Sequence, residues 1–125
     1  MEALKQGYKP LLINTYRNTM DIDPLKAIRY MQDNAKVYAQ AKANRIFIEG
    51  YLKTIKARLM AAHDGSLGAK EIHAYGHADY VAQLEGLREA VEIEETLRYM
   101  LDAAKIKTEI WKTNEYTKRT EMKNL

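Results

Sequence analysis

From Ile28 the apolar residues recur as Met31, Ala35 and Tyr38, then as Ile48, Leu52, Ile55, Leu59 and Ala62, in alternating steps of three and four. That spacing is a helical stripe. It predicts one helix of about 39 residues, roughly 58 Å long at 1.5 Å per residue. Asp23 before Pro24 marks its start: the carboxylate can accept from orphan amides, and proline fits the first helical position without losing a needed hydrogen bond. The stripe stops at His63-Asp64-Gly65-Ser66-Leu67-Gly68, whose glycines and short polar side chains suit a helix end and a turn. Ser66 then caps a short helix through Tyr75, and Gly76 closes it. A second long helix is expected from about Asp79 to about Arg119, with Leu84, Leu87, Val91, Leu97, Leu101, Ala104 and Trp111 as its apolar positions.

Both prolines, Pro10 and Pro24, lie in the first fifth of the chain, leaving the remainder free for long helices. Residues 1–22 read as a separate arm, punctuated by Gly7 and Pro10, in which Leu11, Leu12, Ile13 and Tyr16 form either a short apolar helix or an extended segment that packs on a partner. Residues 23–125 form the second part. The expected fold is all-α: a long, coiled-coil-like antiparallel helical hairpin with a short connector helix and an N-terminal arm. A two-helix hairpin leaves much of its seam in water, so completion by homo-oligomerisation is expected.

Charge strengthens the hairpin expectation. Residues 24–62 carry eight Lys/Arg against two Asp/Glu, and residues 79–102 carry two against seven. Folding back about the connector makes facing residue numbers sum to about 140. Arg45 then meets Glu94 and Glu95, while Lys53, Lys56 and Arg58 approach Glu85 and Glu89. Gly50 and Gly86 fall at one level, where two helices lacking side chains can cross closely.

Composition narrows the chemistry. With 125 residues and 46% hydrophobic content, one domain is the default. No stretch matches a spanning helix, and Met1-Glu2-Ala3-Leu4-Lys5 is not a secretory hydrophobic run, so a cytoplasmic location is expected. The absence of cysteine removes disulfides, thiolate catalysis and cysteine-rich zinc sites. His63, His73 and His77 cluster near the connector with Asp64, Glu71 and Asp79, but their spacing suits caps and turns better than a metal site. No cofactor is expected. There is no P-loop, dinucleotide fingerprint or nucleophile elbow, and Ser66 is the sole serine. Glu94 and Glu95 are adjacent, so a helix points them about 100° apart, which favours ion pairing over paired acid–base catalysis. The chain is not expected to be an enzyme.

A formal charge of +3 permits a nucleic-acid or acidic partner without requiring one. Nine tyrosines stand beside one tryptophan and one phenylalanine. Tyr30, Tyr38, Tyr51, Tyr75, Tyr80 and Tyr99 serve either as semi-buried seam residues or as stacking and anchoring groups. Lys105, Lys107, Trp111, Lys112, Lys118 and Arg119 join cations to an indole near the C-terminus, and they are the candidate nucleic-acid contacts.

The segments Asp23-Pro24-Leu25, Tyr38-Ala39-Gln40-Ala41-Lys42-Ala43, Lys53-Thr54-Ile55-Lys56-Ala57-Arg58-Leu59-Met60 and Glu94-Glu95-Thr96-Leu97-Arg98 resemble a group of small bacteriophage helical proteins found near recombination and single-strand-binding genes. The resemblance spans about residues 23–119 and carries no site pattern. It implies a phage accessory protein of DNA metabolism, acting on single-stranded DNA or bridging recombination proteins in the host cytoplasm. The alternatives are an adaptor or inhibitor that engages a host protein, through the Leu11–Tyr16 arm among other surfaces, and a virion or scaffolding component.

Overall fold

The computed structural model describes residues 22–125, and these form three helices: α1 (Pro24–Ala61), α2 (Leu67–Gly76) and α3 (Ala78–Lys123). The N-terminal arm, Ile22 excepted, lies outside the described residues, and with it Leu11, Leu12, Ile13 and Tyr16. The long helices pack against each other, which confirms the all-α hairpin. Residues 34–99 form one compact unit; residues 100–125 with the segment ending at Asp33 form another.

The helix boundaries follow local chemistry. Asp23 Oδ1 accepts from the amides of Leu25 (3.0 Å) and Lys26 (3.3 Å), with Pro24 between cap and second turn. After α1, Gly65 adopts φ 126°, a left-handed value that favours glycine, and a Cβ there would come within 3.3 Å of Ala69 Cβ. Ser66 then caps α2, its hydroxyl accepting from the Ala69 amide at 3.2 Å. His77 serves two helices: its amide donates to Ala74 O at the end of α2 (3.3 Å), and its Nδ1 accepts from the Asp79 amide at the start of α3 (3.0 Å). The second long helix therefore begins one residue before Asp79 and continues past Arg119.

Within residues 34–99 the shielded positions of α1 fall at Asn34, Tyr38, Ala41, Arg45, Ile48, Leu52, Ile55 and Leu59, and those of α3 at Tyr80, Gln83, Leu87, Ala90, Glu94 and Leu97. Both series repeat every seven residues, the spacing of a coiled-coil seam. Glu94 is buried, and Arg45 donates to both its oxygens, Nε to Oε2 at 2.6 Å and Nη2 to Oε1 at 3.1 Å; Nη1 reaches Glu49 at 2.9 Å. The Gln83 amide donates to Ile48 O at 3.1 Å. These links run oppositely along the two helices and so establish the antiparallel sense. Their residue numbers sum to 139 and 131: the Arg45–Glu94 pair falls within one of the 140 expected from the sequence, while the Gln83 side chain reaches a carbonyl nine short of it.

Three sequence expectations need correction. Arg45 meets Glu94 as predicted, but Glu95 turns to Arg98 on its own helix at 2.5 Å. Glu85 likewise pairs with Arg88, while Lys56 lies over the Tyr75 ring (4.5 Å) and Arg58 donates to the Tyr51 hydroxyl (3.0 Å). Glu85 and Glu89 are exposed, and neither forms an ion pair with Lys53, Lys56 or Arg58 among the described residues. An added Cβ at Gly50 or at Gly86 meets nothing within 4 Å, so the close crossing expected there does not occur. The best-covered seam residue in this unit is instead Ala90. Finally, Ala35, Leu84 and Val91 belong to the predicted apolar stripes but are exposed beside the seam, as is Ile28 in the other unit.

Candidate nucleic-acid interface

The C-terminal stretch of α3 contains neither proline nor glycine to break it, and its threonines turn their hydroxyls back onto the helix. Thr108, Thr113, Thr117 and Thr120 each donate to the carbonyl four residues earlier, at 3.0–3.1 Å. A helix turns about 100° per residue, so positions seven apart return to nearly the same face. Lys105, Lys112 and Arg119 share such a face, and all three are exposed. Lys123 returns to it after one further turn. Tyr116, exposed at 73%, stands between Lys112 and Arg119 on the same side. The row covers about 27 Å from Lys105 to Lys123 at 1.5 Å per residue.

The other three candidates do not join it. Lys107, Trp111 and Lys118 lie about 120° further around the helix. Trp111 is half-buried, and Lys118 approaches Glu115 at 3.7 Å. The six residues thus divide between two faces, and the aromatic group exposed beside the lysines is Tyr116. The sequence contained the signal, since Tyr116 lies four residues after Lys112 and three before Arg119, both same-face spacings. Glu109, also exposed, sits beside the row between Lys105 and Lys112 and lowers its local positive charge. None of Lys105, Lys112, Arg119 and Lys123 has an ion-pair partner among the described residues.

No family model, curated protein or solved structure matches the chain. The chemistry therefore rests on the residues themselves. Glu94 is committed to Arg45 and Glu95 to Arg98, which occupies the two carboxylates that stood closest to acid–base use. Hydrogen bonding from Arg45 holds the Glu94 carboxyl below its ordinary value despite the opposing effect of burial, and the same bond raises the Arg45 guanidinium.

At the connector, the rings of His63 and His73 stack with centroids 4.2 Å apart and a 10° tilt, and His77 meets His73 edge-on at 5.6 Å. Among the described residues no group of three His, Cys, Asp or Glu side chains is arranged to hold a metal ion. His77 is committed to capping and approaches Asp79 at 3.7 Å. No described helix is long and apolar enough to cross a membrane.

Proposed function

We infer that this chain is a non-enzymatic accessory protein of DNA metabolism, phage-encoded as its sequence resemblance implies, which contacts single-stranded nucleic acid along one face of α3. The observation that carries the reading is the exposed row of Lys105, Lys112, Arg119 and Lys123 with Tyr116 among them. Cations at intervals along a straight helix suit a polyanion, because each neutralised phosphate releases condensed counterions and the contact needs no base sequence. An exposed phenol ring beside them offers a stacking surface for an unpaired base.

The test is fluorescence anisotropy with labelled single-stranded and duplex DNA at about 50 and 200 mM salt, a range over which phosphate contacts weaken strongly. Lys105→Glu, Lys112→Glu and Arg119→Glu combined are expected to reduce affinity at least about 100-fold at low salt, with helicity by circular dichroism unchanged. Lys107→Glu with Lys118→Glu, on the other face, is expected to cost under about ten-fold. Equal losses from both sets, or binding insensitive to salt, would remove the row as the contact.

A second reading, a bridging adaptor for recombination or host proteins, is favoured by the amount of apolar surface on the helices. Phe47, Ile72 and Ile93 are each more than half exposed. This reading predicts weak or absent nucleic-acid binding.

A further inference from the structure

The seam of residues 34–99 has two flanks of unlike chemistry. On one flank α1 presents Val37, Gln40, Asn44, Phe47, Tyr51 and Thr54, and α3 presents Ala82, Gly86, Ile93 and Thr96. Its charges are Arg58 and Asp79 at the connector end and Glu89. The opposite flank also exposes apolar groups, Ile46, Val81, Leu84 and Val91, but sets them among Lys42, Glu49, Lys53, Lys56, Arg88, Glu95 and Arg98. Val37, Phe47 and Ile93 on the charge-poor flank are exposed at 45%, 66% and 55%, and Phe47 stacks on Tyr51 with centroids 5.8 Å apart.

We propose that this charge-poor flank is the surface on which a second copy of the chain docks, giving a two-fold dimer whose interface centres on Val37, Asn44, Phe47, Tyr51 and Ile93. Depletion of charge around aromatic and aliphatic groups distinguishes the core of an interface from ordinary surface. Two-fold pairing sets a patch against itself, so it suits a face that carries few like charges to oppose. The lysine-bearing flank would place cations near their own copies.

Incomplete burial supports the same occupant. Among the described residues the buried apolar side chains are alanines, Ala27, Ala74, Ala90 and Ala104, and none of the large ones is fully covered. Apolar residues flanking a two-helix seam are the pattern of helices that pack on two neighbours. Asn44 in the patch supplies a polar group able to fix the register of the pair. None of this depends on the proposed nucleic-acid contact.

Sedimentation equilibrium of the full chain over about 1–100 µM tests the proposal, because a coupled dimer changes mass with concentration. The wild type is expected at dimer mass at the upper end. Phe47→Glu with Ile93→Glu is expected to weaken association at least about ten-fold, while Leu84→Glu with Val91→Glu, on the charged flank, leaves it within about three-fold. A wild type that stays monomeric throughout overturns the proposal and leaves the flank to a partner of different sequence; equal loss from both variant pairs overturns the choice of face. Should the Phe47/Ile93 variant fail to fold, the wild-type melting midpoint decides: a rise with protein concentration supports a dimer, and a constant midpoint overturns it. Asn44→Cys, in a chain without native cysteine, is expected to cross-link two copies through a short bis-maleimide where Lys53→Cys does not. The reverse pattern would place the interface on the other flank.

Discussion

The two flanks of the residue 34–99 hairpin are built on the same pair of helices and yet differ in kind. One flank is held by charges that find partners nearby, Arg45 with Glu49 and Arg98 with Glu95, and Lys56 lies over the Tyr75 ring. The other is held by ring contacts: Phe47 stacks on Tyr51, whose hydroxyl accepts from Arg58. Solvated ion pairs on the first flank contribute little stability and keep the surface wet. The second flank carries fewer charges, Arg58, Asp79 and Glu89, and is hydrated mainly through neutral side chains such as Gln40, Asn44, Thr54 and Thr96. Which residues fall on which flank is decided by the phase of each helix, and the Arg45–Glu94 layer fixes that phase.

The largest expected effect therefore comes from the seam. Glu94→Ala leaves the Arg45 guanidinium without its main partner in a shielded position and is expected to lower the melting temperature by on the order of 10 °C, read by circular dichroism at pH 7. Arg45→Met with Glu94→Leu is expected to regain most of that loss, since an apolar pair needs no ionic partner; failure to regain it would show that the layer does more than pair charges. The pH dependence follows from the direction of the Glu94 shift. Its folded carboxyl titrates below the ordinary value, so its contribution is fully present above about pH 4.3, the unfolded glutamate value, and is lost as the pH falls through the lower folded value. The wild type is expected to lose stability across that acid window, and Glu94→Gln to lose less of it.

A medium effect is expected from moving charge between flanks. Gln40→Lys with Thr54→Lys makes the charge-poor flank resemble its neighbour and is expected to weaken self-association about three- to ten-fold while leaving helicity intact, because it sets like charges near each other across a two-fold. Sedimentation of this variant beside Lys42→Gln with Lys53→Gln sharpens the contrast, since the second pair is expected to change association by less than about two-fold.

Much of this fold was legible in the chain. Asp23-Pro24, Gly65-Ser66 and the opposed charges of Arg45 and Glu94 each announce one local event whose chemistry is complete within a few residues or one pairing. The path of the seam was harder to read, because it runs through Asn34, Arg45, Gln83 and Glu94, which an apolar stripe passes over. A straight helix of 3.6 residues per turn drifts by about 20° per seven residues, and the predicted stripes accordingly strayed onto Ala35, Leu84 and Val91. The candidate interface was legible only as a cluster of cations with an indole: its division between two faces depends on angular position, and Tyr116, on the face of Lys105, Lys112 and Arg119, was not among the six candidates. Gly50 and Gly86 were expected at a close crossing, and neither meets a neighbouring helix, for the same reason.

The smallest effect concerns those glycines. Gly50 faces open space in a helix interior, and Gly50→Ala is expected to stabilise the chain by up to about 1 kcal/mol in thermal or urea unfolding. Gly86 has equal room but lies on the charge-poor flank. If that flank is an interface, Gly86→Leu is expected to disturb self-association about two- to five-fold where Gly50→Leu does not; identical behaviour of the two variants would count against unlike flanks.

His77 carries a consequence for how such a chain can change its length. One residue ends α2 and begins α3, so nothing between these helices can take up an inserted or deleted position. Adding a residue there would rotate all of α3 by about 100° against the connector, exchanging which of its side chains meet α1 and which meet water. The turn from His63 to Ser66 has more slack, because no helix crosses it. Lineages of this protein should therefore accumulate insertions at the first corner of the connector and keep the second corner at fixed length.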